Sequence, residues 1–232
     1  MDAKRLSALL TDLDGDRARG HDVGGRLCET IVEVLEVSGA GIVLMTRGEY
    51  QSTLGGSNAV IGVLEELQFT LGEGPCLDAF RSAQPVLEPD LVNPAAVRWP
   101  AFSGPAIEAG VRAVFGFPVV AGSTSLGAID LYVDRAGALQ PEQLVDAVVL
   151  AEVVASTVLS LQQDAAPGTL APQLDANLHH RAVVHQASGM LAVQLDIEVD
   201  DALARIRAHA YAVSQPVNDV ARDIVQRRLV LD

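Results

Sequence analysis

VRAVFGFPVVAGSTSLGAIDLYVD, residues Val111 to Asp134, is the stretch on which the fold turns. Two apolar runs, Val111 to Val120 and Ser125 to Asp134, flank the turn-forming trio Ala121-Gly122-Ser123. Their β-branched and aromatic residues, with a short turn between, predict an antiparallel hairpin. In the second run Ile129, Leu131 and Val133 alternate with Asp130, Tyr132 and Asp134, which puts the two sets on opposite sheet faces. The apolar set marks a buried face. The acidic set reads as a solvated one, since Asp130 and Asp134 have no histidine partner nearby.

Outward from the hairpin, helical and strand patterns interleave. Ala40 to Thr46 (AGIVLMT) is a short buried strand that pairs with Glu49 to Leu54 through the turn Arg47-Gly48. Val86 and Leu87 begin another strand. Helical spacing predicts a short helix over Lys4 to Leu13, then a Gly/Asp-rich loop from Asp14 to Gly25, then helices over Arg26 to Val37, Asn58 to Gln68 and Trp99 to Ala109. Leu71 to Ala83 is a Gly/Pro turn running into a short helix. Pro141 opens a long helix to Gln163, whose apolar stripe (Leu144, Val148, Ala151, Val154, Val158, Leu161) suits either its own core or a dimer seam.

After Gln163 the pattern changes. Asp164 to Pro172 (DAAPGTLAP) has no periodicity and reads as a linker. Beyond it come three helical patterns and no strand: Leu174 to Leu195, Asp200 to Val213, and Asn218 to Leu229, with Asn218 as an N-cap. The division is therefore 1–163 for an α+β domain, 164–172 for the linker and 173–232 for an all-α module. Charge follows the same boundary. From Pro172 onward six arginines face eight acids, a balance of −2, so −12 of the formal −14 belongs to the first part. An acidic surface repels phosphate, whereas the tail can still present cations on one face.

Composition sets the class. Hydrophobic residues are 49 % of the 232 and charged residues 20 %, enough for a full core. No uninterrupted apolar run approaches the ~20 residues of a membrane span, and the start carries no export signal. With Cys28 and Cys76 as the only cysteines, no disulfide framework is expected, which favours the cytoplasm.

An enzyme is the weakest reading. GEGP at Gly72 to Pro75 lacks the Lys-Ser/Thr of a phosphate loop, no GxSxG turn occurs, and His179, His180 and His185 lack the acids or cysteines of a metal set. No catalytic residue and no metal are expected, and the residues name no cofactor. Cys76 opens a short helix, where a thiol's pKa can be lowered; the alternative is a buried small hydrophobe. Cys76, Trp99, Phe102, Phe115 and Phe117 are candidates to line a ligand pocket, or ordinary core.

The tail presents polar faces. On its first helix Val184, Ala187, Leu191 and Leu195 make an apolar stripe, while Arg181, His185 and Ser188 make another face. Gly189 sits mid-helix, where glycine usually admits a second backbone. Arg205 and His209 share a face of the second helix with Arg207 beside it, and Arg222 lies on the third. Arginine forks suit phosphate, and neutral polar groups suit base edges, so Arg181, His185, Ser188, Gly189, Arg205, Arg207, His209 and Arg222 form a candidate RNA-binding set. A solvated polar face is the alternative.

At this point two resemblances emerge. HQASGML (His185 to Leu191), the IRAHA core of Ala202 to Ala210, and DVARDIV (Asp219 to Val225) resemble ANTAR domains, three-helix RNA-binding modules of bacterial antiterminators. LGEGPCLDA (Leu71 to Ala79), Asp90-Leu91 with RWPAF (Arg98 to Phe102), and LGAIDLY (Leu126 to Tyr132) resemble the GAF domains that precede ANTAR in actinobacterial proteins. The resemblance implies a GAF-like antiparallel sheet flanked by helices, with a small-molecule pocket against it, followed by an ANTAR-like helical domain. It also implies a homodimer that binds tandem RNA stem-loops and lets the polymerase read on, with Arg207 as the foremost RNA contact. One position departs. Many relatives have lysine where this chain has Ser188, which removes a charge from the expected RNA face. A protein–protein signalling or dimerisation module without RNA binding is the competing function.

Overall fold

The computed structural model describes residues 22–46, 49–93, 98–163, 171, 174, 178–213 and 215–231. Side chains of 46, 49–51 and 178–181 fall outside that description, as do the expected helix at Lys4 to Leu13, the turn Arg47-Gly48 and nearly all of the linker. In chain order the elements are α1 (Val23–Leu35), β1 (Gly39–Thr46), β2 (Glu49–Gly56), α2 (Ala59–Leu71), α3 (Pro75–Ser82), β3 (Val86–Glu88) and α4 (Pro100–Glu108). Then follow β4 (Ala113–Ala121), β5 (Thr124–Val133), α5 (Pro141–Gln163), α6 (Leu178–Leu195), α7 (Val199–Ala212) and α8 (Val217–Val225).

Five strands form one antiparallel sheet in the order β2-β1-β5-β4-β3. The quoted hairpin is its centre: Phe115 opposes Leu131 and Phe117 opposes Ile129. Alternation then does what period two requires. Ala113, Phe115, Phe117, Val119, Ile129, Leu131 and Val133 enter a core with α1 and α5. Val114, Ala128 and Tyr132 face the opposite side, under α2, α3 and α4. Gly116 on that side lets α3 come close: a Cβ there would lie 2.5 Å from the Pro75 carbonyl oxygen.

Local chemistry sets the ends of the helices. Asn58 caps α2, its side-chain oxygen accepting from the Ile61 amide at 3.1 Å. Gly72 ends it at φ 68, a left-handed C-cap whose N–H donates to the Gln68 carbonyl at 2.9 Å. Helix α1 starts at Val23, three residues before the expected Arg26, because Asp22 caps it by accepting from Gly25 N at 2.9 Å. The last helix differs too. Pro216, with its fixed φ, stands at the N-cap in place of Asn218, and the helix stops at Val225, short of Leu229, since Arg227 takes φ 56.

Helix α5 is long and apolar enough to span a bilayer by length and composition, which a search for uninterrupted apolar runs does not detect. Eight of its residues, from Ala147 to Leu161, are instead buried, most of them against the sheet.

Candidate nucleic-acid interface

Helices α6, α7 and α8 pack around Val184, Ala187, Leu191, Ala202, Ile206, Ala210, Val220 and Ala221, each at most 1 % exposed. This core does not close on itself. It is continuous with Val43, Met45, Phe69, Cys76, Leu77 and Ala128 of the first domain. Three short helices cannot bury enough apolar surface alone, and the sheet face beside α2 and α3 completes them.

The structure spreads the eight candidate RNA-binding residues over several environments. Arg205 is exposed, His209 half-buried, and Arg222 half-exposed in an ion pair with Asp219 at 2.6 Å. His185 and Gly189 are partly buried on α6; a Cβ at Gly189 would meet nothing within 4 Å, so no backbone among the described residues exploits that glycine. The Arg181 side chain lies outside the described residues.

Ser188 does not belong to an outer face. It is fully buried, with its hydroxyl donating to the His185 carbonyl at 3.0 Å. The apolar stripe through Val184, Ala187 and Leu191 is wider than the sequence reading drew it, and position 188 falls inside it. Serine in place of lysine there keeps a charge out of the interior.

Arg207 also points inward. Its Nε donates to the Phe69 carbonyl at the end of α2, at 2.9 Å, and its guanidinium lies 5.6 Å from the Phe69 ring centroid.

The five candidate pocket residues do not gather round one cavity. Phe115 and Phe117 lie on the α1/α5 side of the sheet, Cys76 in the core shared with the helical module, and Trp99 and Phe102 in a third cluster under α2 and α4. All are at most 3 % exposed, and they do not converge because strand alternation sends Phe115 and Phe117 away from α3. Phe117 borders an open hollow of about 250 Å³ between the Gln84-Pro85 turn, β4 and α5. A larger groove of about 710 Å³ runs between α6 and α8, past Gly189, Met190, Ile224 and Arg227.

The quoted motifs hold one another. Glu73 accepts from the Ala101 and Phe102 amides at 2.7 and 2.9 Å, capping α4, which starts on a proline after an N-cap residue, Trp99, whose side chain makes no capping bond. Asp78 accepts from the Trp99 indole at 3.0 Å and pairs with Arg98 at 3.4 Å. LGEGPCLDA and RWPAF are thus two halves of one packing lock.

Beside that lock lies a buried polar knot that the strand pattern misplaced. Asp130, expected on a solvated face, is fully buried, because α2 and α3 cover that face. The Gln68 amide donates to its carboxylate, and the Gln68 carbonyl oxygen accepts from Cys76 N at 2.9 Å. Burial pushes the Asp130 carboxyl up to about 7, against the opposing hydrogen bonds from Cys76 and Gln68. Burial, then the Asp130 charge, pushes the Cys76 thiol well above its ordinary range, the reverse of an activated thiol at a helix start.

Comparison with known proteins agrees with this architecture. The GAF domain profile matches residues 21–158, more than half of the chain, and the ANTAR domain profile matches residues 172–225. No curated protein matches the chain. Among solved structures, the GAF domain of a phosphoenolpyruvate-protein phosphotransferase from Coxiella burnetii is similar over 69 % of this chain and 94 % of its own, at 15 % identity and TM-score 0.53. The corresponding domain from Acinetobacter is similar over 70 % and 98 %, at 12 % identity and TM-score 0.50. At such identities the likeness speaks for the fold alone. The sheet and its helices, together with these profile matches, make the chain a member of the GAF domain family that carries an ANTAR domain, an RNA-binding output module, on its C-terminal side.

Proposed function

We propose that this chain is a signal-responsive RNA-binding regulator of transcription antitermination, in which the GAF sensor controls a dimeric ANTAR output. The observation that carries this reading is an ANTAR module sharing one apolar core with a GAF sensor. A change on the sensor's α2/α3 side then has a direct route to the output helices. Arg205, His209 and Arg222 supply the first contacts to the phosphates of tandem RNA stem-loops, and Arg207 joins them when it leaves the sensor. A small molecule at the sensor is the input. The dimer seam runs along the outer side of α5, where Val145, Val148 and Leu159 are exposed. The protein acts in the cytoplasm, where nascent transcripts are, and performs no catalysis.

The test is a salt titration of the full chain against an RNA of two adjacent stem-loops, chosen from RNA crosslinked to the protein in its own cell. Binding at low salt that weakens as salt rises is expected. No binding at low salt, with or without candidate small molecules, rejects the reading.

A second reading, a protein–protein module without RNA binding, draws on the burial of Ser188 and the inward turn of Arg207. Arg205→Ala separates the two. RNA affinity falls and dimerisation holds under the first reading, whereas under the second there is no RNA affinity to lose.

A further inference from the structure

We propose that Arg207 is a latch: the carbonyl end of α2 holds this guanidinium, and with it α7, against the sensor, so that RNA and sensor compete for one side chain. The proposal rests on the RNA reading above and adds its regulation.

The last carbonyls of a helix have no partner within it and carry the negative end of its dipole. In α2 the Gln68 carbonyl is taken by the Gly72 N–H, and the next, Phe69, is taken by Arg207 Nε at 2.9 Å. The guanidinium lies over the Phe69 ring, 5.6 Å from its centroid. Its Nη1 would be 3.2 Å from a Cβ at Gly72, so the glycine that ends α2 also leaves room for the arginine. A carbonyl, a ring and a missing side chain thus converge on one cation. Beneath it Ile206 and Ala210 of α7 are buried in the same core as Phe69 and Leu77, so the latch closes over an apolar seam.

The exclusion follows from geometry. A guanidinium bonded to Phe69 O and stacked on its ring cannot offer the same fork to a phosphate. Arg205, two positions away, lies on the exposed side of the same helix, so the two arginines of α7 stand in different environments. The holding carbonyl is tied to the sensor interior as well. Gln68, directly before Phe69, is bonded to both Asp130 and the Cys76 amide. A rearrangement of that knot would move the Phe69 carbonyl.

The experiment compares the full chain with Phe69→Leu, which keeps the core apolar and removes the ring, using the crosslink-selected tandem stem-loop RNA at low salt. Phe69→Leu is expected to bind about five- to tenfold tighter, by raising the fraction of open protein. In an Arg207→Ala background the same substitution should give no gain. Hydrogen exchange on the wild-type chain supplies an arm independent of any variant: on binding RNA, α7 and residues 66–72 should lose protection. Equal affinity of wild type and Phe69→Leu, or RNA bound with that protection unchanged, overturns the latch and leaves the RNA reading standing. Binding by neither protein removes the RNA reading, and the latch with it.

Discussion

The two faces of the sensor sheet are covered in different ways. One side is closed by α1 and α5 with a mainly apolar set, Phe115, Phe117, Ile129 and Leu131 among them, beside a buried Ser52 hydroxyl that donates to the Leu174 carbonyl. The other is closed by three short helices, encloses Asp130, Gln68 and Cys76, and is completed by α6, α7 and α8 from the far end of the chain. The first face draws its stability mainly from apolar packing. The second holds a carboxyl away from water and lends its surface to the output domain. The two domains therefore meet on the costlier face, where a small change in charge or packing has the most leverage.

Substitutions can break this contrast in graded steps. Phe115→Ala, on the apolar side, should cost about 3–5 kcal/mol in denaturant unfolding, the usual range for an emptied aromatic site. On the polar side the effect should depend on pH. The folded-state Asp130 carboxyl lies near 7, above its unfolded value, so the native chain holds the extra proton between those limits. Its contribution is full below about pH 4 and is lost as pH rises through about 7. Asp130→Asn should flatten that decline and be more stable than wild type at pH 8, by on the order of a few kcal/mol. Unfolding midpoints at pH 4.5, 6 and 8 check this; parallel profiles for the two proteins would contradict it.

A smaller effect is expected at the motif lock. Glu73→Ala removes the cap of α4 and should cost about 1–2 kcal/mol in a thermal melt. The smallest belongs to the output surface. Arg222→Ala breaks only a half-exposed pair with Asp219 and should change stability by less than about 0.5 kcal/mol. The same change should lower RNA affinity several-fold at low salt, which separates a binding residue from a structural one.

Particular residues tell which features were legible before any coordinates. The hairpin was, because period-two alternation is local: Ile129 and Leu131 have to share a face whatever the rest of the chain does. A boundary at Asp164 to Pro172 was expected from composition and charge, and most of that stretch lies outside the described residues. Asp130 was placed on the correct strand face and in the wrong environment, since alternation reports sidedness and cannot say that helices from elsewhere will cover it. Ser188 was misread because a helix-face count fixes directions and leaves the width of the apolar stripe open. Arg207 was expected to face RNA, yet its partner in the structure is a backbone carbonyl of Phe69, and a carbonyl leaves no mark in a sequence. The five pocket candidates failed to converge for a related reason: aromatic content says nothing about which side of a sheet each ring takes.

The claim that sensor and output are one packed unit can be tested through the single tryptophan. Trp99 lies in the sensor, buried under α2 and α4, while Ile206 lies in α7 of the output and is fully buried. Ile206→Ala should weaken the shared core by about 2–5 kcal/mol. Denaturant unfolding followed by Trp99 fluorescence should then move to lower denaturant together with the helical signal at 222 nm. A Trp99 transition that stays at its wild-type midpoint while the helical signal shifts would show two independent domains, and would contradict the account.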